Sequence, residues 1–133
     1  MADKKAPPSI AKWLEEAKAD PVASKVGMFL VHNGVVRQTP KAMVREGVDD
    51  GSLVKGMYFS YDAGKVDKAI GETYKMDGIF YVKAWLNEGE LVLGDDIMYL
   101  LIGGDIRPHV VDALQFLVGK IKTECVTETE ISE

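Results

Sequence analysis

The stretch Asn87-Glu88-Gly89-Glu90-Leu91-Val92-Leu93-Gly94-Asp95-Asp96-Ile97-Met98-Tyr99-Leu100-Leu101-Ile102 decides the fold. Asn87 to Glu90 reads as a turn, because Asn and Gly tolerate the backbone conformations that close one. Leu91-Val92-Leu93 is a short extended piece and Gly94-Asp95 a second turn. Ile97 to Ile102 is a nearly continuous apolar run. A strand covered on both faces has that character, so this one belongs at the centre of a sheet. Ile79 to Leu86 is a further strand entering the first turn. Strands joined through such short connections pair antiparallel.

Downstream, Gly103-Gly104-Asp105-Ile106-Arg107-Pro108 hands over to the last helix, with Pro108 in the first turn, where a missing amide hydrogen costs little. Val110, Val111, Leu114, Leu117, Val118 and Ile121 form its buried stripe, and Lys120 and Lys122 sit in its final turn. Upstream, Lys65 to Lys75 carries Val66, Ala69, Ile70 and Tyr74 on one helical face, and Leu53 to Tyr61 is strand-like. Residues 38–52, with Pro40, Gly47 and Gly51, form a loop-rich connection that has room for a short helix near Lys41–Arg45. Val26 to Val31 is a strand. His32-Asn33-Gly34 is either a turn, after which Val35-Val36-Arg37 resumes, or a bulge within one long strand. Ser9 is placed to cap a helix bearing Ile10, Trp13, Leu14 and Ala17, which Pro21 ends after Asp20. The expectation is an α+β fold: a mostly antiparallel sheet with flanking helices, a disordered arm over residues 1–8, a single domain over 9–123 and an acidic tail over 124–133.

A chain of 133 residues is one domain by default, and its 47% hydrophobic and 28% charged composition argues against wholesale disorder. No apolar run reaches the roughly 18–20 residues of a membrane span. The opening Met1-Ala2-Asp3-Lys4-Lys5-Ala6-Pro7-Pro8 leads into an amphipathic stretch, so no secretory leader is expected. Cys125, the single cysteine, has no internal disulfide partner, and a cytoplasmic setting follows as the simplest expectation. The net charge is −5, with Glu124, Glu128, Glu130 and Glu133 concentrated at the C-terminal end. Without them the body is nearly neutral. No Lys/Arg cluster is interleaved with aromatics, which argues against nucleic acid as a partner.

Strong catalytic signatures are missing: no P-loop, no G-x-S-x-G, no H-E-x-x-H, no C-x-x-C and no dinucleotide fingerprint. Nothing calls for a metal or a cofactor. Gly103 to Arg107 can be read two ways. A glycine-rich strand exit at a helix start, with Arg107 beside it, could hold a phosphate or carboxylate; it could equally be a tight turn with a solvated arginine. Lys122 complements a helix C-terminus or reaches into a cleft to stabilise negative charge. His32 reads as a turn residue and His109 as a surface residue of the helix start. Cys125 lacks a visible base to activate it.

Residues 87–97 resemble the x-x-G-E-L-x-x-G-D/E-x-I/V stretch of the catalytic (large) subunit of molybdopterin synthase, the MoaE family. Ile97 to Arg107 is similar to that family's strand leading to a His-Arg pair, with Arg107 on the Arg. Ile121-Lys122 falls on its Leu/Ile-Lys, and Gly34-Val35-Val36-Arg37 on its F-x-G-x-V-R strand end. The resemblance spans about residues 25–123. It implies an α/β hammerhead, a homodimer, and a ubiquitin-like sulfur carrier as partner. The implied activity is transfer of thiocarboxylate sulfur to cyclic pyranopterin monophosphate. It places Lys122 as a catalytic lysine and Arg37 and Arg107 as substrate-binding residues. Three positions depart from the pattern: Ile106 stands for the His before Arg, His32 for the Phe, and Thr129 for a second lysine, within the acidic Glu128-Thr129-Glu130. These departures leave a second reading open, a catalytically idle relative that keeps the fold and the dimer.

Overall fold

Strand β5 (Asp96–Gly104) runs between β1 (Met28–Val35) and β3 (Ile79–Leu86) in a three-stranded antiparallel sheet. Its central place explains its composition. Leu100 and Ile102 face the main core on one side, while Leu101 packs with Trp13 and Ala17 on the other, and all three β5 residues are fully buried. Each such side chain contributes about 1.5–3 kcal/mol relative to exposure. The computed structural model describes residues 3–41, 47, 51 and 53–132. The short helix expected near Lys41–Arg45 lies outside the described residues, apart from Lys41.

A second three-stranded antiparallel sheet has the order β4 (Gly89–Val92), β2 (Val54–Tyr61), β6 (Val126–Ser132). Helix α1 (Ile10–Ala19) covers the outer face of the first sheet. Helices α2 (Ala63–Tyr74) and α3 (Arg107–Lys120) add Val66, Ala69, Val110, Ala113 and Leu117 to the core shared with both sheets. The architecture is α+β with antiparallel sheets and flanking helices, as the sequence implies. The helix starts follow local chemistry. Ser9 Oγ accepts from the Lys12 amide at 3.2 Å, and Asp62 Oδ1 from the Lys65 amide at 3.0 Å. Asp20 ends α1, and Pro21 opens a 3-10 turn through Lys25.

The structure resolves or revises three readings. The Asn33-Gly34 segment is no turn: β1 continues through it, and the register against β5 shifts between Gly34 and Val35, so the bulge reading holds. Residues 3–8 do not hang free. The Lys5 amide donates to Asn87 Oδ1 at 2.7 Å, Lys5 Nζ donates to the Tyr61 hydroxyl at 2.8 Å, and Lys4 pairs with Asp95 at 3.0 Å. The acidic end is not a solvated tail either. Residues 126–132 are β6, paired with β2 from Tyr61↔Val126 to Val54↔Ser132.

Glycines mark two constrained places. Gly94 takes φ +84 in the turn between β4 and β5, a conformation that L side chains rarely adopt. Gly104 sits where β5 meets β3 and α3. A Cβ there would lie 2.6 Å from the Gly78 carbonyl oxygen and 2.7 Å from a Val110 methyl. Gly104→Ala is expected to cost about 1–3 kcal/mol through overpacking. Equilibrium urea unfolding reads this directly, and an unchanged midpoint would show that the strand–helix contact is looser than drawn.

Candidate functional site: a cavity between the two sheets

Alternation along β1 sets one wall of the site. Met28 and Leu30 pack against the core, and the next residues on that face are His32 and Gly34. With Val35 and Arg37 they line a cavity of about 340 Å³. Met57 of β2 and Ile97 and Met98 of β5 give it an apolar floor. Lys41, Lys122, Glu128 and Glu130 supply the remaining charge.

Lys122 comes from a π-helical turn, Ile121–Cys125, that follows α3. Ile121 and Cys125 are buried in the core and anchor the turn, while Lys122 is exposed at the cavity. Such turns re-aim side chains and recur at functional sites. Arg37 lies just beyond the β1 bulge, exposed, with Nε donating to the Thr39 carbonyl at 3.1 Å. Two of the three residues placed at the site by resemblance therefore meet in one cavity.

The third does not. Arg107 is exposed in the first turn of α3 and is not among the residues lining the cavity. The glycines before it serve packing: a Cβ on Gly103 would strike the Phe29 ring at 2.6 Å. The helix start already has a carboxylate, since Asp105 Oδ1 accepts from the Ile106 amide at 2.6 Å and meets His109 Nδ1 at 2.7 Å. The hydrogen bond from His109 holds the Asp105 carboxyl below the usual range. A carboxylate beside these amides opposes a second anion there.

Glu128, Glu130, Lys41 and His32 also line the cavity: the resemblance marks His32 and the acidic Glu128-Thr129-Glu130 only as departures from the family pattern, and Lys41 is not singled out at all. β6 alternates, so Glu128 and Glu130 lie opposite the buried Phe59 and Met57, on the inner face. Thr129 lies opposite the exposed Tyr58, on the outer face, so the position expected for a second lysine points away from the cavity. Glu128 has only 7% of its side chain exposed and forms an ion pair with Lys41, while Glu130 accepts from the Lys41 amide at 3.1 Å. A carboxylate this buried needs such a partner. His32 is a strand residue with its ring at the cavity, not a turn residue. Burial, then the neighbouring Lys122 charge, holds its pKa below the ordinary histidine value.

Lys120 is not among the residues lining this cavity. It lines a different cavity, against α2, and pairs with Glu124 at 2.9 Å and Glu72 at 3.8 Å. Burial, followed by Glu124, pushes the Cys125 thiol up, which favours the unreactive protonated form. Among the described residues, no group of three His, Cys, Asp or Glu side chains could hold a metal, and no helix is long and apolar enough to cross a membrane.

No family model matches the sequence, and no curated protein matches it. Solved structures do match the fold. A molybdopterin synthase from Staphylococcus aureus superposes with a TM-score of 0.73 at 17% identity, covering 96% of this chain and 87% of that one. A molybdopterin biosynthesis MoaE protein from Burkholderia ambifaria gives 0.68 at 18%, covering 96% and 84%. A complex of subunits 1 and 2 of molybdopterin-converting factor from Helicobacter pylori gives 0.64 at 16%, covering 91% and 74%. This chain has the MoaE-like fold.

Proposed function

We propose that this chain, built on the MoaE-like fold, acts in molybdenum cofactor biosynthesis as a large-subunit-like protein. It would take sulfur from the C-terminal thiocarboxylate of a ubiquitin-like carrier and deliver it to cyclic pyranopterin monophosphate. The observation that carries the reading is the meeting of Arg37 and Lys122. One follows β1 and the other follows α3, far apart in the chain, yet both line one cavity at the positions the family resemblance assigns them.

The chemistry suits the residues. A phosphate is held well by a planar guanidinium, whose donors match its oxygens. An ammonium at the reacting centre stabilises the negative charge that develops as sulfur bonds to the pterin side chain and water then cleaves the acyl–sulfur bond, leaving the carrier's tail as a carboxylate. Arg107, outside this cavity, would act on an anion only at its own surface, such as the carrier's tail. The proposed working form is a cytoplasmic homodimer that binds the carrier. The fold neighbour from Helicobacter pylori is itself a two-subunit complex, which supports a carrier partner.

A second reading has its own support. Glu128 and Glu130 project carboxylates into the cavity, and Thr129 points out of it, so the site has one lysine from this region and added negative charge. That favours a catalytically idle relative that binds the carrier without turnover. Calorimetric titration with cyclic pyranopterin monophosphate, with and without thiocarboxylated carrier, separates the two. Micromolar binding with sulfur transfer supports a synthase, and carrier binding without transfer supports the idle relative. No binding of either ligand sinks both.

A further inference from the structure

We infer that His32 reads the body of the bound ligand: its Nε2 makes a hydrogen bond to an uncharged heteroatom of the ligand's ring system, while Arg37 and Lys122 take the anionic group. This rests on the proposed function for the ligand's class, an anionic heterocycle.

His32 Nε2 is fully buried and has no hydrogen-bond partner, alone in this among the side-chain nitrogens and oxygens of the described residues. Buried polar atoms are nearly always paired, so an orphan in a cavity wall is matched to something that enters the cavity. Nε2 is covered as the ring stands, so pairing with a ligand takes a turn of the imidazole, and Gly34 beside it puts no side chain in the way. A Cβ there would meet Nε2 at 3.8 Å and Met98 Cγ at 3.6 Å, and anything longer would fill the gap. The charges facing the ring come from several elements: Lys122 from the π-helical turn, Arg37 and Lys41 from the chain after β1, and Glu128 and Glu130 from β6. β2 and β5 add only Met57, Ile97 and Met98. Burial and the Lys122 charge keep the imidazole neutral near pH 7. A neutral ring offers one donor and one acceptor according to its tautomer, which suits a ring N–H or carbonyl. Charge on the ligand is left to the arginine and lysine.

The test compares wild type, His32→Phe and His32→Gln by calorimetry with two probes, cyclic pyranopterin monophosphate and inorganic phosphate. Loss of one hydrogen bond predicts that His32→Phe binds the pterin about 3- to 10-fold more weakly while phosphate affinity stays unchanged. Gln restores part of the loss. The imidazole ¹⁵N resonance of wild type should move with the pterin and not with phosphate. His32→Phe removes an unpaired buried polar atom, so it should melt no lower than wild type, and weaker binding then does not reflect misfolding. A pH series adds a second signature. Below about 6.5 the unfolded histidine binds a proton that the folded one resists, so wild-type stability falls as pH drops through that value. His32→Phe lacks that component. Equal pterin affinity in wild type and His32→Phe, or an equal loss for both probes, overturns the inference and leaves the proposed function standing. Failure of wild type to bind the pterin overturns both.

Discussion

Under the proposed function, Lys122→Ala is expected to lower sulfur transfer by roughly 10²–10³-fold, the usual cost of removing one group that stabilises charge in the transition state. The effect should be confined to chemistry. Lys122 is exposed, whereas Ile121 and Cys125, on either side in the π-helical turn, are buried and hold the backbone in place. Removing an exposed lysine together with its surface interactions is expected to move stability by about 1 kcal/mol or less. Thermal melts of the variant should therefore stay close to the wild type while single-turnover transfer collapses. Lys122→Arg keeps the charge but spreads it over a planar group of different reach, so partial activity at most is expected. Undiminished transfer by Lys122→Ala would remove the lysine from the mechanism.

Ending the chain after Cys125 is expected to lower the melting temperature by more than about 10 °C or to abolish cooperative unfolding. The deletion removes β6 whole. β2 then loses its partner along the register from Val54 to Tyr61, and the core loses Val126. Lys41 loses Glu128, its ion-pair partner, and both carboxylates leave the cavity. β2 would also present a long unpaired edge, the kind that recruits other chains, so light scattering should rise with the loss of stability. If the truncated protein melted like the full chain, the final residues would be a solvated tail after all.

Two of the misreadings of the sequence share a cause. Residues 126–132 read as an acidic end because Glu128 and Glu130 dominate the local charge. The strand signal was present in the alternation Thr127, Thr129, Ile131, all β-branched. It was masked because the intervening positions, which face inward, carry carboxylates where apolar residues are the rule. Only Lys41, distant in sequence, makes a buried Glu128 tolerable, and no local pattern reports that pairing. His32 was assigned to a turn because Asn33-Gly34 is a strong turn signal, whereas pairing with β5 carries the strand straight through it. Where the cause is local, the reading held. Ser9 caps α1, Asp20-Pro21 ends it, and the unbroken apolar run of β5 marks the central strand. The meeting of Arg37 and Lys122 was legible only through the family resemblance, since nothing near either residue encodes the other.

The strand pairings also set how the protein must assemble in time. Met28 pairs with Gly104 and Val54 with Ser132, so each sheet is closed by partners more than 70 residues apart in the chain, and the two closures interleave. β1 and β2 emerge early in synthesis and wait, unpaired on these edges, for β5 and β6. Few of these contacts are local, which slows folding relative to a helical bundle of the same length. The cavity draws residues from both closures, so its charged groups come together only once the last strand has docked. A competent site is thus available only to a finished fold, and stopped-flow refolding should show ligand-binding capacity arriving with the final, slowest phase.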